Sequence, residues 1–124
     1  MIVLDASTVL ALQFGEVGGE ALLKEGPSCI SSVNLAEVLG RLARDHPDVE
    51  IFLPPLHDAV GSVFPFTEAH ALLSARLVPA TRPYGLSFGD RACLALAQSL
   101  DAPVLTADRA WAKLSLPVEI RLIR

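Results

Sequence analysis

Ser87–Leu100, SFGDRACLALAQSL, decides how the rest of the chain is read. From Arg91 onward, Ala92, Cys93, Leu94, Ala95, Leu96, Ala97 and Leu100 are apolar on nearly all sides of a helix, a pattern that suits a helix packed inside an α/β layer rather than one lying on water. Asp90 is the exception. It falls in the first turn, where the helix dipole and unpaired backbone N–H groups favour an anion. Ser87, three residues earlier, completes a capping-box pattern with it. Asp90 thus has a structural explanation of its own, and whether it has another depends on which acids the rest of the chain brings to the same place.

Outward from this helix, short apolar runs alternate with helical patterns. Ile2–Leu4 reads as a buried strand that ends in Asp5 and feeds a helix carrying Val9, Leu10, Leu12 and Phe14. Gly15–Gly19 breaks that pattern, and Glu20–Glu25 reads as a short helix closed by Gly26-Pro27. Ser28–Ser31 is a second strand. Ser32 then caps a helix over Val33–Arg44, with Leu35, Ala36, Val38, Leu39, Leu42 and Ala43 on its apolar side and Asn34, Glu37, Arg41 and Arg44 on the other. A short helix is expected over Asp48–Leu56, stopped by Pro54-Pro55. Val60–Phe66 reads as a third strand, which Gly61 and Pro65 put at an edge. Thr67 opens a helix to about Leu77, and Pro79–Gly85 reads as a loop. Past the Ser87 helix come a strand over Pro103–Thr106, a short helix over Arg109–Leu114 with Trp111 inward, and a last strand over Val118–Ile123. The alternation predicts a three-layer α/β/α domain spanning residues 1–124, with helices on both faces of a central, mainly parallel sheet of four or five strands.

Composition narrows the function. With 124 residues the chain is long enough for one closed core and too short for two. Hydrophobic residues make up 52% and the mean hydropathy is +0.46, enough to suggest apolar surface kept for a partner. No apolar run approaches the 18 or so residues of a membrane span. The start MIVLDAST meets an acid after three apolar residues, unlike a signal peptide or anchor. The expectation is a cytoplasmic protein with no membrane contact. Cys29 and Cys93 lack metal-site spacing and read as buried free thiols. A net charge of −4 removes broad attraction to nucleic acid. If bound cations neutralise four acids, however, acids and bases balance at ten each.

Four acids fall near one edge of such a sheet. Asp5 ends the first strand, Glu37 lies on the helix after the second, Asp90 opens the buried helix, and Asp108 follows the fourth strand; open α/β sheets bind ligands beyond the carboxyl ends of their strands. Each acid also has a local explanation. Asp5 and Asp108 can cap the helices they precede, Asp90 can complete its capping box, and Glu37 can pair with Arg41. Local explanations do not say why four separate segments deliver an acid to one edge. Two carboxylates about 5 Å apart repel by roughly 3 kcal/mol at an effective dielectric near 20, and no His, Cys or Lys motif stands by to neutralise them. A hard divalent cation, Mg²⁺ or Mn²⁺, suits an all-oxygen set and typically acts on phosphates.

The pieces IVLDAST, SSVNLAEVLGRLAR, ATRPYGLSFGDRACLALA and VLTADRAWAKL together resemble the PIN-domain ribonucleases, and within them the VapC-type toxins of toxin–antitoxin pairs. The resemblance implies a PIN-like fold and a Mg²⁺-dependent endoribonuclease (Mn²⁺ substituting) that acts as a toxin, paired with a cognate antitoxin and with itself. It matches the family's acidic quartet to Asp5, Glu37, Asp90 and Asp108 as catalytic, metal-holding residues, and places Ser7 and Thr106 as hydroxyls that orient them. Arg82, Arg91, Arg109 and Lys113 border the same edge as candidate RNA contacts, and Tyr84 as a base-stacking residue. Leu10, Phe14, Leu22 and Leu23 are candidate contacts for a second protein chain. An aspartyl phosphatase would need a second Asp where Ser7 stands, and a phospho-acceptor domain a Lys after a late strand. The alternative is a non-enzymatic RNA- or protein-interaction module whose acids are only caps.

Overall fold

In the first strand, β1 (Ile2–Leu4), the two-residue period of extended chain sends Ile2 and Leu4 to one face and Val3 to the other, and all three are buried. The computed structural model describes all 124 residues. Around β1 it sets β2 (Ser28–Ser31), β3 (Ser62–Phe64), β4 (Val104–Thr106) and β5 (Ile120–Leu122) in the order β3-β2-β1-β4-β5, every pair parallel. Six α-helices accompany them: α1 (Ala6–Gln13), α2 (Ser32–Leu42), α3 (Leu53–Val60), α4 (Glu68–Arg76), α5 (Val78–Thr81) and α6 (Phe88–Leu100).

The core of this one domain falls into two layers, one on each face of the sheet. Ile2, Leu4, Ile30 and Leu105 pack against Val9 of α1, Val38 and Leu42 of α2, and Leu56 and Val60 of α3. Val3, Cys29 and Val104 pack against Cys93, Leu94, Leu96 and Ala97 of α6, with Trp111 closing the layer. Every residue from Ala92 to Ala97 is fully buried, as the all-round apolar pattern of α6 predicts. Burying Leu94 and Leu96 alone contributes roughly 1.5–3 kcal/mol each. Both cysteines are free and buried, and no helix is long and apolar enough to cross a membrane.

Several boundaries differ from the sequence reading, each for a local reason. Ser31, not Ser32, caps α2, because its hydroxyl accepts the Val33 N–H while that of Ser32 accepts from Phe66. Pro54-Pro55 opens α3 instead of stopping a helix: the first turn has N–H groups to spare, so proline loses nothing there. A 3₁₀ turn, Val49–Phe52, precedes it. The segment read as a loop over Pro79–Gly85 is helical, as α5 followed by a 3₁₀ turn at Arg82–Tyr84, with the Thr81 hydroxyl donating to Leu77 O. The short helices at Gly19–Lys24 and Arg109–Lys113 are 3₁₀. β3 does lie at an edge of the sheet. Leu22 belongs to the first layer of the core, whereas Phe14 and Leu23 are exposed.

The strand order reverses between β1 and β4, the place where doubly wound sheets open a crevice. Leu4 pairs with Leu105, so the next residues, Asp5 and Thr106, stand side by side at the mouth of that crevice.

Candidate active site

Asp5 is the best-defined member of the edge. Its carboxylate is 3% exposed and caps α1 by accepting the Thr8 N–H on Oδ1 at 2.9 Å. Two hydroxyls serve it as well: Thr106 Oγ1 donates to Oδ2 at 2.6 Å, and Ser7 Oγ lies 2.8 Å from both oxygens. The hydroxyls are themselves fixed, because Ser7 Oγ accepts the Ala107 N–H at 3.0 Å and Thr106 Oγ1 accepts the Asp108 N–H at 3.0 Å. No Lys or Arg pairs with Asp5; the four ion pairs of the chain are Arg41–Asp45, Arg121–Glu25, Arg121–Glu119 and Arg124–Glu16. Burial pushes the Asp5 carboxyl above its ordinary pKa, and the hydrogen bonds from Thr106, Thr8 and Ser7 pull only partly the other way. The Asp5 carboxylate is thus buried, hydrogen-bonded by two hydroxyls and a backbone N–H, and without a cationic partner.

The other three acids sit on neighbouring elements. Asp90 completes the capping box with Ser87: its Oδ2 accepts the Ser87 N–H at 2.9 Å and its own N–H donates to Ser87 Oγ at 3.2 Å. Asp108 caps the turn that carries Trp111, its Oδ1 accepting the Ala110 N–H at 3.0 Å. Glu37 does not pair with Arg41, the partner anticipated from spacing; Arg41 turns to Asp45 and the Phe14 ring instead. Asn34 holds Glu37, donating from Nδ2 to Oε1 at 2.8 Å and to Gly89 O at 2.9 Å. None of the four acids is in an ion pair.

Glu37 and Asp90 meet where α2 crosses α6, because Gly89, directly before Asp90, presents its bare Cα to the Glu37 carboxylate. Burial first, then the charges of Asp5 and Asp90, push the nearby Cys93 thiol well above its usual pKa. Asp108 joins through its N–H on Thr106, whose hydroxyl in turn donates to Asp5. As the side chains stand, no three acid, His or Cys groups are gathered closely enough to hold one ion between them. The four acids follow β1, β4 and the starts of α2 and α6, and an all-oxygen donor set of this kind is the chemistry that suits a hard divalent cation.

Of the basic candidates, Arg82, Arg109 and Lys113 are exposed on segments beside this edge, and Arg91 is half-buried with its guanidinium donating to Leu86 O at 3.0 Å. None of the four pairs with an acid. Sequence reasoning missed Asn34, read as part of a solvated helix face but 1% exposed, and Gly89, whose bare Cα faces Glu37. Their only sequence signal is an Asn three before one acid and a Gly directly before another. The buried Asn34 Oδ1 accepts no hydrogen bond, at a cost of about 1–3 kcal/mol.

The PIN-domain family model matches residues 2–116. The chain belongs to the PIN-domain family. Its fold is also that of solved toxin–antitoxin structures. A toxin–antitoxin complex from Klebsiella pneumoniae aligns with a TM-score of 0.73 at 21% identity over 97% of this chain and 100% of that one. DNA-bound VapBC from Salmonella typhimurium aligns at 0.77 and 14%, over 99% and 98%. FitAcB from Neisseria gonorrhoeae aligns at 0.68 and 19%, over 97% and 96%. No curated protein matches the sequence of this PIN domain.

One consequence of the PIN-domain edge is measurable without a substrate in place. Thr106→Val removes both the hydroxyl on Asp5 and the acceptor of the Asp108 N–H while keeping the volume. An outer hydrogen bond of this kind is worth about 10–100-fold in metal affinity or activity. If Asp5 holds a divalent cation, Mn²⁺ titration should show that loss, and in either case the melting temperature should fall through the unpaired Asp108 N–H.

Proposed function

We propose that this PIN domain is the toxin of a toxin–antitoxin pair, an endoribonuclease of the cytoplasm that uses Mg²⁺, with Mn²⁺ able to substitute. The observation that carries the reading is the buried, hydroxyl-braced Asp5 carboxylate, which has no cationic partner and lies at the switch point of the sheet. Asp5, Asp90 and Asp108 would hold the cation, with Glu37 completing the set directly or through a water. A bound Mg²⁺ supplies a water of lowered pKa and charge stabilisation at the leaving oxygen.

The chain's own groups do the rest. Ser7 and Thr106 orient both Asp5 oxygens, and Thr106 ties the Asp108 backbone to the same hydroxyl. Arg82, Arg109 and Lys113, exposed and without acidic partners, would meet RNA phosphates, with Arg91 of α6 as a fourth candidate. Tyr84 is exposed on the 3₁₀ turn that also carries Arg82 and can stack an unpaired base. Phe14 and Leu23, exposed beyond α1, are surface for an antitoxin segment or a second copy of the chain. The similar fold of solved toxin–antitoxin structures supports that partner.

A second reading is favoured by one observation: Asp5, Asp90 and Asp108 each cap a helix or turn, as the acids of a non-catalytic interaction module would. Incubating the purified chain with total RNA and mapping the cut ends separates the two. Cleavage with Mg²⁺ that stops on chelation is the expected result. No cleavage with either Mg²⁺ or Mn²⁺, or cleavage indifferent to the chelator, would overturn the nuclease reading.

A further inference from the structure

Glu37 differs from the other three acids in having nothing of its own to hold it. Asp5, Asp90 and Asp108 each accept a backbone N–H from the turn they open. Glu37 lies mid-helix on α2, exposed, on a side chain whose several rotatable bonds leave it free unless another residue fixes it. Two residues provide that constraint. The Asn34 amide, one turn back on α2, spends both hydrogens in one direction, on Glu37 Oε1 at 2.8 Å and on the carbonyl of Gly89 at 2.9 Å. Both partners accept only, so the amide cannot be turned round without setting oxygen against oxygen. Gly89, in the first turn of α6, supplies the space: a methyl group on its Cα would overlap the whole Glu37 carboxylate.

We infer that Asn34 and Gly89 are positioning residues, a seat that crosses from α2 to α6 and fixes the Glu37 carboxylate beside Asp90. The inference rests on the metal-dependent reading of the acid edge and adds to it the device that sets its least constrained member. If Asn34 served only to tie the two helices together, the Gly89 carbonyl alone would be partner enough, and a buried Oδ1 without a donor would be a poor choice of residue. If Gly89 served only α6, alanine would be the better helix former at that position.

Asn34→Ala and Gly89→Ala, each alone and each combined with Glu37→Ala, test the seat. Mn²⁺ affinity, the rate of RNA cleavage, and the carboxyl carbon resonance of residue 37 in the metal-free protein are the readouts. Either single variant should weaken Mn²⁺ binding and slow cleavage by about 10–100-fold, and should shift the Glu37 carboxyl resonance in chelator while Gly89→Ala keeps its melting temperature. On the Glu37→Ala background the same changes should cost about twofold or less, because nothing is left to position. Equal losses in both backgrounds, or a Glu37 resonance unmoved by either variant, would overturn the seat. A parent protein that neither binds Mn²⁺ nor cuts RNA would overturn the nuclease reading instead, and the resonance would still decide whether Asn34 and Gly89 hold Glu37.

Discussion

Asp5→Asn should lower RNA cleavage by more than about 100-fold, since the loss of even an outer hydrogen bond at a metal site costs 10–100-fold. The substitution keeps the shape of the side chain, and Asn caps a helix about as well as Asp, so α1 should still start at Ala6 with the Thr8 N–H satisfied. The fold therefore survives to be measured. Its pH dependence is the more specific signature. Burial raises the Asp5 carboxyl above the ordinary carboxylate value, so the folded parent holds this proton more tightly than the unfolded chain does. Its metal-free stability is then greatest below that value and declines as the pH climbs through the raised pKa. Asn does not titrate. Melting curves in chelator should show the variant gaining on the parent as the pH rises from about 4 through the raised pKa. Cleavage by the variant at parental rates would remove Asp5 from the mechanism, and a stability gap that closes as pH rises would contradict the burial argument.

Trp111→Ala should be the most damaging single change to stability, at about 3–5 kcal/mol. The indole is fully buried in the core beneath α6, and it reaches there from the 3₁₀ turn that Asp108 caps. Its Nε1–H has no acceptor, so the contribution is packing and not hydrogen bonding. Trp111→Phe should accordingly cost much less, because the cavity is smaller and the unpaired donor leaves with the indole. Denaturant titration of the two variants reads the difference directly. Equal losses would mean that packing volume is not what this side chain contributes.

Much of the fold is legible locally because the central strands are short buried runs that end at or just before a capping residue. Ile2–Leu4 with Asp5, and Val104–Thr106 with Asp108, are the clearest cases. The Ser87–Asp90 capping box is equally local, and it formed as its spacing predicts. Proline was less transparent. Pro54-Pro55 and Pro79 suit the first turn of a helix as well as they suit its end, and only packing against the sheet selects between the two. The acid edge divides in the same way. Ser7 and Asp5 are two residues apart, so their hydrogen bond can be anticipated from spacing. Asn34 and Gly89 are 55 residues apart and meet only because α2 and α6 converge there. Read from α2 alone, Asn34 belongs to a polar face and Glu37 belongs with Arg41. Neither assignment survives the arrival of α6.

Crystals of the chain grown with Mn²⁺, with the ion located by its anomalous scattering, test most directly whether these dispersed carboxylates serve one cation. The predicted result is a peak about 2–2.5 Å from an Asp5 oxygen and from an oxygen of Asp90 or Asp108. A Mn²⁺ peak that avoids Asp5, or no peak at this edge at saturating metal, would contradict it.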